Sequence, residues 1–111
     1  MKNDLNSLLV EGAICARGRP ELNAENGAID TTVETAILSR RWSRGADRYV
    51  CEDSRFIIIA SGKVADTVMA FSEGRRIRVV GRLHERRQES GALVIVAEHV
   101  ELAPGQRKEE E

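Results

Sequence analysis

Two groups of arginines in this chain are spaced so that they could hold a polyanion. The first is Arg40-Arg41-Trp42, with Arg44, Arg48 and Tyr49 distributed around the Gly45 connection that follows. The second lies in GRRIRVVGRL, Gly74 to Leu83. There Arg76, Arg78 and Arg82 fall on one side of a period-two pattern, and Ile77, Val79, Gly81 and Leu83 on the other. A guanidinium forks onto phosphate oxygens and lies flat on a base, neither of which an ammonium does well. Trp42 and Tyr49 add rings on which a base stacks for roughly 1–3 kcal/mol, the second ingredient of sequence-tolerant single-strand binding. Arg55, Lys63 and the Arg86-Arg87 pair of the turn RRQESG complete the cationic set. The plainer account of any such face is a solvated strand surface, since arginine is mostly exposed in any fold.

No other constellation carries chemistry. His84 and His99 fall on different strands, with no thiol or carboxylate at metal-ligand spacing. Cys15 and Cys51 show neither redox nor metal spacing, and no glycine-rich loop has the spacing and following helix of a phosphate cradle. We therefore expect no catalytic residue, no metal and no cofactor, and hence no enzyme. The opening MKNDLNSLL is too polar for a signal peptide, and no apolar run approaches membrane-spanning length. The expectation is a reduced cytoplasmic protein, away from membranes.

The elements that must position these residues follow from hydrophobic period. The chain has 111 residues, enough for one domain with one core, placed at 1–103 and followed by a short charged tail, 104–111. Aromatics make up only 4%, so the core is aliphatic. The formal net charge of −1 hides an asymmetry: Arg40 to Glu89 holds twelve basic and seven acidic residues, a local +5, against five and eleven in the flanks, a local −6. Leu8 to Cys15 alternates as a first strand, with Gly12 a site of bending or close approach. Arg17 to Ile29 reads as a loop, from its turn formers. Thr31 to Trp42 is a second strand and Ser43 to Arg48 a flexible connection. Arg48 to Ser61 is a third strand, with an irregularity placed at Cys51 to Ser54. Phe56, Ile58 and Ala60 share one of its faces, expected in the core; Ile57 and Ile59 share the other and leave apolar surface there. Val64, Val68 and Phe71 recur at helical spacing up to Gly74, a left-handed stop, and strands follow at Arg76 to Leu83 and Leu93 to Leu102.

Five strands with one helix between the third and fourth suggest a small β-barrel. GKVADTVMAFSEGRRIRVVGRL, Gly62 to Leu83, together with NDLNSLLVEG, VIVAEHVEL and the weaker ARGRPEL, resembles the bacterial single-stranded DNA-binding protein family in the order of its pieces. The resemblance covers roughly Asn3 to Leu102. It implies an all-β OB-fold, a five-stranded Greek-key barrel. It also implies sequence-independent binding of single-stranded DNA in replication, recombination or repair, nucleoid association, and a homo-oligomer, tetramer or dimer. The chain departs from that family at its stacking positions. Ser61 stands where the family carries a Phe, Arg55 about where it carries a Trp, and Arg86-Arg87 near another frequent Trp. The tail PGQRKEEE lacks the apolar tip through which relatives recruit replication and repair proteins. A second reading is therefore an OB-fold interaction protein with weakened DNA binding, similar to primosomal replication protein N.

Overall fold

The computed structural model describes residues 3–25, 28–86 and 91–104. Its elements are β1 (Leu8–Arg17), β2 (Glu21–Glu25), β3 (Ala28–Arg44), β4 (Tyr49–Ser61), α1 (Lys63–Ala70), β5 (Arg76–Glu85) and β6 (Leu93–Leu102). The strands run in the order β1-β5-β6-β4-β3-β2, and a further β1–β3 pairing closes five of them into a barrel with β2 outside the closure. The helix lies between the third and fourth barrel strands, the layout expected of an OB-fold. Inward-facing residues of alternating strands fill the barrel: Ile14, Val33, Ile37, Ile58, Ile77 and Val79 are all 1% exposed or less. The core is aliphatic, as composition required.

Closure depends on β1 leaving one neighbour for another. Leu8 to Ala13 pair with β5, and from Ala13 the strand pairs instead with β3, with a register shift between Ile14 and Ala16. Gly12 stands at the crossing, where a Cβ would lie 2.8 Å from the Leu38 carbonyl oxygen. The strand-one expectation of close approach is met there. Gly81 plays the same part at the β5–β6 register shift, where a Cβ would come within 2.3 Å of the Val96 carbonyl oxygen.

Three expectations need correction. The segment read as a loop from Arg17 to Ile29 contains β2, which pairs with β3 from Glu21↔Thr32 to Glu25↔Ala28. Its five residues carry only Leu22 and Ala24 in alternation, too short a run to stand out among the flanking turn formers. The helix ends at Ala70, before Gly74. Arg17 of β1 donates from Nη1 to the carbonyls of Met69, at 2.9 Å, and Phe71, so a distant cation satisfies the C-terminal acceptors that have no intrahelical partner. Gly74, at φ +92°, belongs instead to the following turn, its N–H donating to Ile14 O at 2.8 Å. The irregularity placed at Cys51 to Ser54 is absent; β3 and β4 pair in continuous register through it. Ala65 and Val68 seat the helix on the barrel, with Val64 and Phe71 half-buried beside them. The tail from residue 105 lies outside the described residues.

Gly81→Ala tests the close approach. Its Cβ would meet backbone, which cannot rotate away, so we expect a loss of roughly 1–3 kcal/mol, the usual cost of overpacking. Thermal unfolding would read it as a lowered Tm.

Candidate nucleic-acid interface

The longest pairing in the molecule builds the site. β3 and β4 are in register from Thr32↔Ser61 to Arg44↔Tyr49. β1 accompanies β3 only as far as Leu38, and β6 touches β4 only at Ile58 and Ile59. Beyond Ser39↔Ser54, therefore, the hairpin runs on as a two-stranded ribbon. Gly45 N–H donates to Arg48 O at 2.7 Å and closes the connecting turn. The flexible connection expected from Ser43 begins two residues later, because β3 continues to Arg44.

Period two then sorts the side chains. On the outer face, moving towards the tip, the cross-strand pairs are Leu38↔Arg55, Arg40↔Asp53, Trp42↔Cys51 and Arg44↔Tyr49. Arg40, Trp42, Arg44, Tyr49 and Arg55 thus share one surface, with Arg48 in the turn above it. Trp42 is 62% and Tyr49 67% exposed. Beside them Arg44, Ala46, Asp47, Arg48 and Tyr49 line a recess of about 220 Å³. Arg41 lies on the opposite ribbon face, across from Glu52. Arg44, Arg48 and Arg55 form no ion pair with another described residue. Arg40 does: its Nε donates to Asp53 Oδ1 at 3.1 Å, bracing the two strands across the ribbon. That hydrogen bond holds the Asp53 carboxyl below the usual carboxylate range and raises the Arg40 guanidinium further.

The second arginine group lies elsewhere and is largely neutralised. Arg78 is flanked in register by Glu11 of β1 and Glu101 of β6. It donates to Glu11 Oε2 from Nε at 2.8 Å and Nη2 at 2.5 Å. Arg82 reaches Glu98 at 3.4 Å, and Arg86 reaches Glu34 at 2.8 Å. Arg76 is half-buried at the start of β5, and Lys63 opens α1 near the other end of the hairpin from the tip. Arg87 lies outside the described residues. The strand pattern showed Arg78 and Arg82 on one face, as found. It could not show the carboxylates that the neighbouring strands bring beside them. Phe56 corrects another expectation: it shares the core face with Ile58 and Ala60 but sits where the hairpin leaves the barrel, and is 36% exposed.

No family model and no curated protein matches the chain. Solved structures do. PriB from Ralstonia solanacearum superposes with a TM-score of 0.70 at 16% identity, over 89% of this chain and 98% of that one. The Plasmodium falciparum SSB in complex with ssDNA gives 0.68 at 18%, over 92% and 96%. The single-stranded DNA binding protein of Thermus aquaticus gives 0.66 at 19%, over 92% of this chain and 52% of that one. The fold is the OB-fold. Its structural neighbours are SSB proteins and PriB, the two kinds of protein the sequence resembled. At these identities the likeness concerns the barrel and its connectivity, and individual contact residues must be argued from this chain.

Because Asp53 is ionised more readily in the folded ribbon than in the unfolded chain, its brace with Arg40 is at full strength above the unfolded pKa. It is lost as pH falls through the depressed folded value. Amide exchange of Ser39 to Ser54, corrected for intrinsic rates, should stay protected down to the ordinary carboxylate range and loosen only below it. Asp53→Asn should loosen the ribbon at neutral pH.

Proposed function

We propose that this chain binds single-stranded DNA with little sequence preference, the strand lying along the outer face of the β3–β4 hairpin. The observation that carries the reading is the coincidence on one surface of two exposed aromatic rings, Trp42 and Tyr49, with Arg40, Arg44 and Arg55. This is the combination of stacking platform and cationic groove that single-strand binding uses. An OB-fold shared with an SSB that is described in complex with ssDNA supports it. No helix among the described residues is long and apolar enough to cross a membrane, and no group of three or more potential metal ligands occurs among them. The expected setting is DNA replication, repair or recombination in the cytoplasm, without catalysis.

Fluorescence anisotropy with labelled oligo-dT against a duplex of equal length tests the reading. The single strand should bind more tightly at low salt, and equal affinity for both would overturn the reading. Phosphate contacts from Arg44, Arg48 and Arg55 give a slope of log affinity on log salt of about −2, at about −0.7 per phosphate. Arg44→Gln should weaken binding and shrink that slope. Arg78→Gln should leave affinity nearly unchanged and instead cost about 0.5–1 kcal/mol of stability, because Arg78 is committed to Glu11.

A second reading has its own support. Arg78 and Arg82 are tied to carboxylates, and Ser61 and Arg55 replace aromatics of the family the sequence resembles. Both features fit an OB-fold working mainly through protein contacts, replication or repair proteins among them. Either reading includes a homo-oligomer, dimer or tetramer. Ile57 and Ile59 lie on the face away from the barrel interior and are only half-buried, while Leu9 is 60% exposed. Sedimentation at micromolar concentration should give a mass above that of one chain; a stable monomer would count against assembly.

A further inference from the structure

The ribbon tip suggests how its two rings are used, an inference that rests on the single-strand reading above. Trp42 is paired with Cys51 and Tyr49 with Arg44, so the two rings are diagonal neighbours, two residues apart across the ribbon on one face. Diagonal positions of an antiparallel pair stand roughly 7–8 Å apart. Rings carried on positions that far apart can face each other at about twice the ~3.4 Å rise between stacked bases, the separation that takes one flat base between them. Both rings are largely uncovered, at 62% and 67% exposure, and neither packs on the other. Their neighbours supply the rest of a nucleotide site. Arg44 lies directly across from Tyr49, Arg48 is in the turn, and both line the recess of about 220 Å³ at the tip; Asp47 lines it too, but forms no ion pair with either, so the two guanidinium groups outnumber the one carboxylate there.

We propose that the tip is a single-nucleotide clamp: one base inserts between Trp42 and Tyr49, and its phosphate is held by Arg44 and Arg48. The ligand class is an unpaired nucleotide within a strand, since a base in a duplex is stacked on both faces and cannot enter. The clamp differs from two separate platforms, on which Trp42 and Tyr49 would each take a different base. In a clamp, Tyr49 pins the base against the indole; with separate platforms, it has no influence on what Trp42 touches.

Trp42 is the only tryptophan, so its fluorescence reports the indole without a label. The experiment titrates the whole chain with oligo-dT, following anisotropy of labelled DNA and Trp42 emission together, for wild type, Tyr49→Ala, Tyr49→Phe and Arg55→Gln. Saturating DNA should quench wild-type Trp42. Tyr49→Ala should weaken binding roughly five- to a hundredfold, the loss of one stacking contact, and reduce the quench that remains at saturation. Tyr49→Phe should keep both. Arg55→Gln, away from the tip, should weaken binding yet keep the saturated quench. A saturated quench unaltered in Tyr49→Ala would overturn the clamp while leaving single-strand binding intact. So would saturation by anisotropy with no quench in the wild type. Absence of any oligo-dT binding by anisotropy would overturn the clamp together with the reading beneath it.

Discussion

Backbone pairing of β3 with β4 is the constraint on which both the interior and the exposed face depend. The same register that places Val33, Ile37, Ile58 and Ala60 inside the barrel places Arg40, Trp42, Arg44, Tyr49 and Arg55 outside it. A slip of one residue would exchange the two sets, exposing those four aliphatic side chains and turning the arginines and rings to the opposite face of the hairpin. The interior therefore sets the orientation of the ribbon. Burial of an aliphatic side chain is worth about 1.5–3 kcal/mol, so the barrel end of the hairpin holds the register with several times the energy of any contact in the ribbon itself. The ribbon inherits its facing from residues that never touch it. Its own cohesion comes from the ladder and the Arg40–Asp53 brace.

Charge on the barrel follows a different logic. Arg78 and Arg82 line a strand with neighbours on both sides, and those neighbours bring Glu11, Glu98 and Glu101 alongside. A phosphate reaching Arg78 would have to displace a carboxylate that accepts two hydrogen bonds from it, with Glu101 adding repulsion from the other side. Among the described residues no strand lies outside β3 or β4 on the ribbon, so no third row of strand side chains stands beside the tip arginines. The density of arginine is similar in both places, and what differs is the number of strands alongside. Local charge density along the chain is thus a poor guide to potential at the surface of a sheet, where partners come from distant sequence.

What is legible in the sequence follows from the same distinction. Strand periods, the helix stripe and the close approach at Gly12 were legible because each is a local consequence of side-chain spacing, and the five-strand order with one helix led to the barrel. The sharing of a face by Arg40, Trp42 and Arg44 is also local, two residues apart each time. Their meeting with Tyr49 and Arg55 required the register, which no single strand contains. β2 does not stand out in the sequence because ELNAE offers only Leu22 and Ala24 in alternation, beside turn formers. The helix stop lies outside local pattern because the carbonyls at its end are satisfied by Arg17, far away in the chain. Phe56 lies on the core face but at the end of the barrel: alternation tells in from out, but not where the barrel ends.

The placement of the aromatics is the strongest indication that the ribbon face is used. A chain with one Trp, one Tyr and two Phe has few large apolar groups with which to stabilise a barrel. Here the interior is filled by isoleucine, valine and alanine, while Trp42 and Tyr49 stand more than half exposed on a ribbon beyond it. Burying either ring would contribute on the order of several kcal/mol at about 25 cal/mol per Å², so their exposure forgoes stability that the fold could have taken. Neither stands across the ribbon from a second ring: the cross-strand partners of Trp42 and Tyr49 are a cysteine and an arginine. Side chains that do not fill the core, set on one face with Arg44 and Arg55, which form no ion pair with another described residue, fit a ligand that is both flat and anionic.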